Sequence, residues 1–208
     1  GWATRRHLFD RKAFFEKKSE MSSSLDKIFA SVDQTSNISK QLKSPFFNRD
    51  ITPSPNKEHE IQRFCSRQGV RMILLIGPPI QAKEDLIARL ATKEKEMRCF
   101  AADDFFMKDG KYVFDARGLL RAHQRCQGNV RGALMKKCPL VVVNNTSVKR
   151  DHIKVYDDFK YPFAAVVFQP SSPADAIALG IGNPKNLPQY VFENCYNEMQ
   201  HLLSLIHI

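Results

Sequence analysis

Five consecutive apolar residues, Met72-Ile73-Leu74-Leu75-Ile76, end abruptly at Gly77-Pro78-Pro79. A short run without alternation is what a strand requires when both faces are covered, so it predicts a central strand of a parallel sheet. Leu86, Ile87 and Leu90 then recur at helical spacing, which predicts a helix from Lys83 to about Glu96. The alternation continues down the chain. Cys99 to Ala102 reads as a second strand, Leu119 to Met135 as a helix, Leu140 to Val143 as a third strand, His152 to Phe159 as a helix, and Ala164 to Phe168 as a fourth strand. Strands separated by helices imply an α/β fold, a parallel sheet flanked by helices that binds ligands beyond the carboxyl ends of its strands. The polar segments Gly77 to Glu84, Asp103-Asp104 and Asn144-Asn145-Thr146 all fall at those ends.

A chain of 208 residues has room for one such domain, placed at residues 69–202, and a tail. Residues 1–68 are rich in Ser, Lys, Asn and Gln, with apolar residues in isolated pairs such as Phe14-Phe15 and Phe46-Phe47. They read as a basic, largely disordered segment. Approximate helical spacing marks short helices around Thr4 to Glu20 and Leu25 to Val32, candidates for docking on the domain or binding a protein partner. Ser44-Pro45, Thr52-Pro53 and Ser54-Pro55 set hydroxyls before prolines in an extended linker, which suits proline-directed phosphorylation. Met21, followed by three serines, reads as a candidate start. Leu203-Ser204-Leu205-Ile206-His207-Ile208 resembles a translated frame of a transposon-end sequencing adaptor, which sets 203–208 apart from the domain.

The formal charge of +10 favours an acidic partner such as nucleic acid, because cations near a phosphate backbone release condensed counterions. About half of that surplus lies before Gly69, where it equally describes a solvated basic tail. No apolar run approaches the roughly 20 residues of a membrane-spanning helix, so no membrane is expected as a partner. The five cysteines Cys65, Cys99, Cys126, Cys138 and Cys195 are too scattered for a metal knuckle or a disulfide framework. They read as reduced thiols of an intracellular protein, cytoplasmic or nuclear. The start lacks the basic, apolar and small-residue regions of a secretion signal.

A strand followed by Gly77 and, six residues on, Lys83 matches the outline of a P-loop, G-x-x-x-x-G-K-[ST]. In that motif the glycines let backbone N–H groups wrap phosphates, the lysine reaches the outer phosphates and the hydroxyl holds magnesium. Here Ala82 stands for the second glycine and Glu84 for the hydroxyl residue. A side chain at a left-handed position costs roughly 1–2 kcal/mol, which favours a rearranged loop. Glu84 and Asp85 also bring two carboxylates to the first turn of the helix, where phosphate would otherwise sit, so the protein is expected to fill its own anion site. Asp103 and Asp104, read alone, cap the next element or pair with Lys83, and Asp109-Gly110 reads as a hairpin turn.

Four further segments follow in order: Ala101-Ala102-Asp103-Asp104-Phe105-Phe106, Asp109-Gly110-Lys111-Tyr112-Val113-Phe114, Ala122-His123 with Gln127 and Arg131, and Val141-Val142-Val143-Asn144-Asn145-Thr146. Over roughly residues 70–170 the series resembles the polynucleotide-kinase-like P-loop family typified by the NEDD-binding-protein-two-like proteins. That family has GLPGSGK[ST], [ST]-x-D-D-[FY]-F, D-G-x-Y-x-[FY], A-H-x-W-N-Q and a strand ending D-N-T-N. The resemblance implies a P-loop NTPase, nucleotide-kinase-like fold, with Gly77, Lys83 and Glu84 at the nucleotide phosphates. It makes Asp103 the candidate general base toward a substrate hydroxyl and His123 a candidate ligand beside the motif strands.

Departures fall where the chemistry is most sensitive. Asn144 replaces the family's aspartate, which leaves Glu84 and Asn144 at the two magnesium positions. Arg125-Cys126 replaces the aromatic-Asn pair, and Ser147 the last Asn. The lid region shows no arginine and little positive charge beyond Lys185. The resulting expectation is a degenerate, non-catalytic module that binds a nucleotide, nucleic acid or protein, with ATP as the implied cofactor and magnesium doubtful. Two alternatives stay open: an atypical active polynucleotide 5′-hydroxyl kinase, and a scaffold acting through its N-terminal tail.

Overall fold

The structure, a computed structural model, describes residues 57–206. Helix α1 (Lys57–Gln68) leads into strand β1 (Met72–Ile76), helix α2 (Gln81–Lys93) and strand β2 (Arg98–Phe100). A 3-10 turn (Ala102–Phe106) and a small hairpin of β3 (Met107–Lys108) and β4 (Lys111–Tyr112) follow. Then come a second 3-10 turn (Ala116–Gly118), helix α3 (Leu119–Met135), strand β5 (Val141–Val143), helix α4 (Arg150–Asp157), strand β6 (Phe163–Val167), helix α5 (Pro173–Leu179) and helix α6 (Gln189–Ile206).

The main sheet has the order β2-β5-β1-β6 and is parallel throughout, with Met72 paired to Val141 on one side and to Phe163 on the other. β1 is thus the inner strand that its apolar run demands, and all five of its residues are fully buried. Its side chains alternate between two cores. Met72, Leu74 and Ile76 join Val141, Val143 and Val167 beneath the α3 stripe of Ala122, Cys126, Val130 and Leu134, with Tyr156 and Met199. Ile73 and Leu75 join Val142 and Val166 on the opposite face, under Ile61, Leu86, Leu90, Ala176 and Phe192. Helices therefore cover both faces, and the loops after β1, β2 and β5 converge at one end.

Two boundaries differ from those expected. Residues 57–68 fall inside the expected tail, yet they form α1. Ile61 and Cys65, one turn apart, are buried in the second core, and Arg89 of α2 lies 3.4 Å from Glu58. Five of the twelve α1 residues are charged, which masks that narrow apolar stripe in the sequence. At the other end α6 runs on to Ile206, and Leu203 is buried, so the helix passes the boundary set at 202. The helices expected at 4–20 and 25–32 and the Ser/Thr-Pro sites lie outside the described residues. The five cysteines are all free, and no helix among the described residues is long and apolar enough to cross a membrane.

Candidate functional site

β1 ends at Gly77, whose N–H donates to the Thr146 carbonyl at 2.8 Å and so ties the loops after β1 and β5 together. Gly77 has φ +141°, and a Cβ there would collide with the Phe168 carbonyl oxygen, so this position requires glycine. Pro78 and Pro79 carry no N–H. Ile80 N–H donates back to the Pro78 carbonyl at 2.9 Å and Lys83 N–H to the Ile80 carbonyl at 3.1 Å. Ile80, at a position where the family pattern has glycine, is extended and buried. Helix α2 starts at Gln81, so Ala82 lies within the helix and the left-handed strain expected of it does not arise. Of the first-turn donors, the amides of Gln81 and Ala82 are the two that helix geometry leaves without an intrahelical acceptor.

Lys83 does not point into open solvent. Its side chain is 2% exposed, and Nζ donates to the carbonyls of Gly77 (2.7 Å) and Asn145 (2.8 Å). Burial holds its ammonium down to about 7. The neighbouring carboxylates are held to the side. Asp85 accepts from Gln81 Nε2 at 3.0 Å, and Glu84 Oε1 accepts from Asn144 Nδ2 at 2.9 Å. The self-filling expected of Glu84 and Asp85 thus takes another form, with carbonyl oxygens around the lysine. The two residues at the expected metal positions meet each other.

The adjacent Asn145 is a junction. Its carboxamide oxygen accepts from Ala102 N–H at 2.9 Å, and Nδ2 donates to the Tyr156 hydroxyl at 3.3 Å and reaches Cys126 Sγ at 3.7 Å. One side chain therefore joins the ends of β2 and β5 to α3 and α4. Burial raises both the Cys126 thiol and the Tyr156 phenol above their ordinary values.

Asp104 caps the 3-10 turn, its carboxylate accepting from Ala101 N–H at 2.9 Å. Asp103 does not pair with Lys83. One oxygen accepts from the Tyr112 hydroxyl at 3.0 Å and the other forms an ion pair with Lys185. Burial and the Asp103 charge raise the Tyr112 phenol, which keeps it a donor. Lys185 Nζ also lies 5.4 Å from the centre of the Tyr112 ring. Tyr112 is delivered by the β3–β4 hairpin, whose turn residues Asp109 (φ 49°) and Gly110 (φ 73°) both take positive φ. The sequence around Lys185 is poor in charge, yet its one lysine reaches Asp103 across the cleft. That partnership spans 82 positions, and no local pattern signals it.

Lys83, Glu84, Asp103, Asn144 and Lys185 line a cavity of about 200 Å³, together with His123 and Gln127 of α3 and Asp151 and His152 of α4. Drug-sized ligands occupy pockets of roughly 300–1,000 Å³, so a whole nucleotide needs the cleft to open. The structure brings the expected residues Gly77, Lys83, Glu84, Asp103, His123 and Asn144 to one end of the sheet. Lys185, Tyr112, Asp151 and His152 are the additions.

No family model matches the chain. A 96-residue stretch, 46% of the chain, is 28% identical to human NEDD4-binding protein 2, and the match spans 5% of that protein's length. A chain in the solved Pnkp1/Rnl/Hen1 RNA repair complex superposes with a TM-score of 0.53 at 16% identity, covering 65% of this chain and 45% of that one. The protein is thus a weak homologue of NEDD4-binding protein 2 with a polynucleotide-kinase-like α/β fold.

Proposed function

We propose that this domain is a polynucleotide-kinase-like module that binds nucleic acid without transferring phosphate. The observation that carries this reading is the enclosure of Lys83 between the Gly77 and Asn145 carbonyls. A lysine that serves ATP must reach its outer phosphates, and this one closes the loop instead. The surroundings agree. Two prolines remove amide donors, the amides of Gly77, Ile80 and Lys83 are engaged within the protein, and Glu84 follows the lysine where the motif has a hydroxyl residue. As arranged, these residues do not fit a triphosphate with its magnesium.

Nucleic acid is favoured as the partner by charge and shape. Lys95, Arg98, Lys136 and Lys137 line an open groove of about 600 Å³ between β2 and α3, with Glu96 as its one acid. Its floor holds Gly128 and Gly132, and Arg121 and Arg125 stand exposed farther along α3. Consecutive phosphates of a nucleic acid meet such a row through counterion release. One of the matched structures belongs to an RNA repair complex, which points the same way.

The test is transfer of labelled phosphate from ATP to 5′-hydroxyl oligonucleotides, run beside calorimetric titration of ATP with and without magnesium. No transfer and no magnesium-dependent ATP binding are expected. Transfer that Lys83→Ala abolishes would overturn the proposal.

One observation favours an atypical active kinase as the second reading. Glu84 and Asn144 together keep the single negative charge that a hydroxyl and an aspartate would carry, moved from strand end to helix. That reading requires millimolar magnesium-ATP to raise the melting temperature, by about 2.7 kcal/mol of binding at 100 times the dissociation constant.

A further inference from the structure

Between α5 and α6 the chain runs beside the cavity as a nine-residue strap, residues 180–188, braced by its own hydrogen bonds. It starts at Gly180, where an added Cβ would lie 2.6 Å from the Phe192 ring. Asn183 braces the middle: Nδ2 donates to the Gly180 carbonyl at 2.8 Å and the Leu187 carbonyl at 3.1 Å, while Oδ1 accepts from Leu187 N–H at 2.7 Å. Gly182 (φ 72°) and Asn186 (φ 53°) supply the left-handed bends. Lys185 and Leu187 of the strap both line the cavity.

Lys185 ties this braced strap to the far side of the cleft. The ammonium sits in an ion pair with Asp103 and beside the Tyr112 ring, and Tyr112 in turn donates to the other Asp103 oxygen. Asp103, Tyr112 and Lys185 form a three-part clasp linking the strap to the 3-10 turn and the hairpin. The clasp lies at the rim: the Lys185 and Asp103 side chains are 32% and 35% exposed, so dissolved ions reach it. Both oxygens of the Asp103 carboxylate are engaged while it is shut. An anion that enters competes with Asp103 for the one strap cation.

The geometry points to a latch: Lys185 holds the strap shut over the cavity by pairing with Asp103, and a phosphate-bearing anion opens it by replacing Asp103 as the partner. This goes beyond the proposed function, since it holds whether or not the cleft turns over a nucleotide.

Hydrogen–deuterium exchange of peptides covering 180–192 tests it on the full chain. Lys185→Met and Asp103→Asn should each speed exchange there by about five-fold or more, the double variant no further, as expected of partners in one interaction. Peptides from β1 and β5 should stay protected, which reports an intact fold. The charge-swapped pair Asp103→Lys with Lys185→Asp should restore slow exchange. Inorganic pyrophosphate should speed strap exchange in the unaltered protein and leave Lys185→Met unchanged, with sodium chloride at matched ionic strength as control. Unchanged exchange in the single variants, or additive effects in the double, would overturn the latch. Pyrophosphate acting no better than chloride would overturn its release by phosphate.

Discussion

Asn144 donates a hydrogen bond to Glu84 across 2.9 Å, joining the end of β5 to the first turn of α2 at the two degenerate magnesium positions. The pair works because one partner is a neutral donor and the other an anionic acceptor. Asn144→Asp should turn that attraction into repulsion between two carboxylates. A loss of about 0.5–1 kcal/mol is expected at so exposed a contact, read as a lower melting temperature in chelator. Millimolar magnesium should recover it, because two facing carboxylates attract a divalent cation. Glu84→Gln added to Asn144→Asp should remove both the loss and the recovery, because an amide again faces a carboxylate.

The buried amine of Lys83 makes stability depend on pH. Its native value lies near 7 while the unfolded chain keeps the ordinary 10.5, so between those limits the unfolded state binds the extra proton. Stability from this group therefore rises as pH climbs from about 7 toward 10.5 and is flat below 7. Lys83→Met lacks the proton and leaves the Gly77 and Asn145 carbonyls without their donor. The stability gap between the two proteins should widen with pH, by about 1.4 kcal/mol per unit at most. Urea unfolding at pH 6, 8 and 9.5 measures it, and a gap that shrinks with pH would contradict the assignment.

Two glycines should respond with opposite sign. Gly77→Ala meets the Phe168 carbonyl at a φ that side chains rarely adopt, and should cost roughly 2–3 kcal/mol or prevent folding. Gly128 lies in α3 with nothing within 4 Å of an added Cβ. Gly128→Ala should stabilise by about 0.5–1 kcal/mol through helix propensity. Thermal denaturation of the two variants gives the comparison.

The proposed nucleic-acid groove predicts a salt signature. Replacing Arg98, Lys136 and Lys137 by alanine should flatten the dependence of log affinity on log salt, by about 0.7 per lost phosphate contact with a single strand. Fluorescence anisotropy with a labelled oligonucleotide reads that slope. An unchanged slope would move the binding elsewhere.

The strands were legible because each core strand is a short apolar run, and α3 because Leu119, Ala122, Cys126 and Val130 mark one face for its whole length. α1 was not, since two buried positions among charged neighbours give too little periodicity. The convergence of Gly77, Lys83, Asp103 and Asn144 was legible because a parallel sheet gathers the carboxyl ends of its strands. What those residues bond to was hidden. Lys83 turns to main-chain carbonyls, which carry no sequence identity, and Asp103 takes a lysine 82 positions farther along the chain. The helix expected from Lys83 begins two residues earlier, at Gln81, because Leu86, Ile87 and Leu90 mark its apolar face and leave its first turn without a signal.

The two carbonyl bonds of Lys83 also bear on how sequences of this shape are interpreted. A lysine that staples the loops after two neighbouring strands has a role in the fold that needs no nucleotide. In such chains the signature lysine alone does not tell architecture from turnover, which has to be judged from the residues around it.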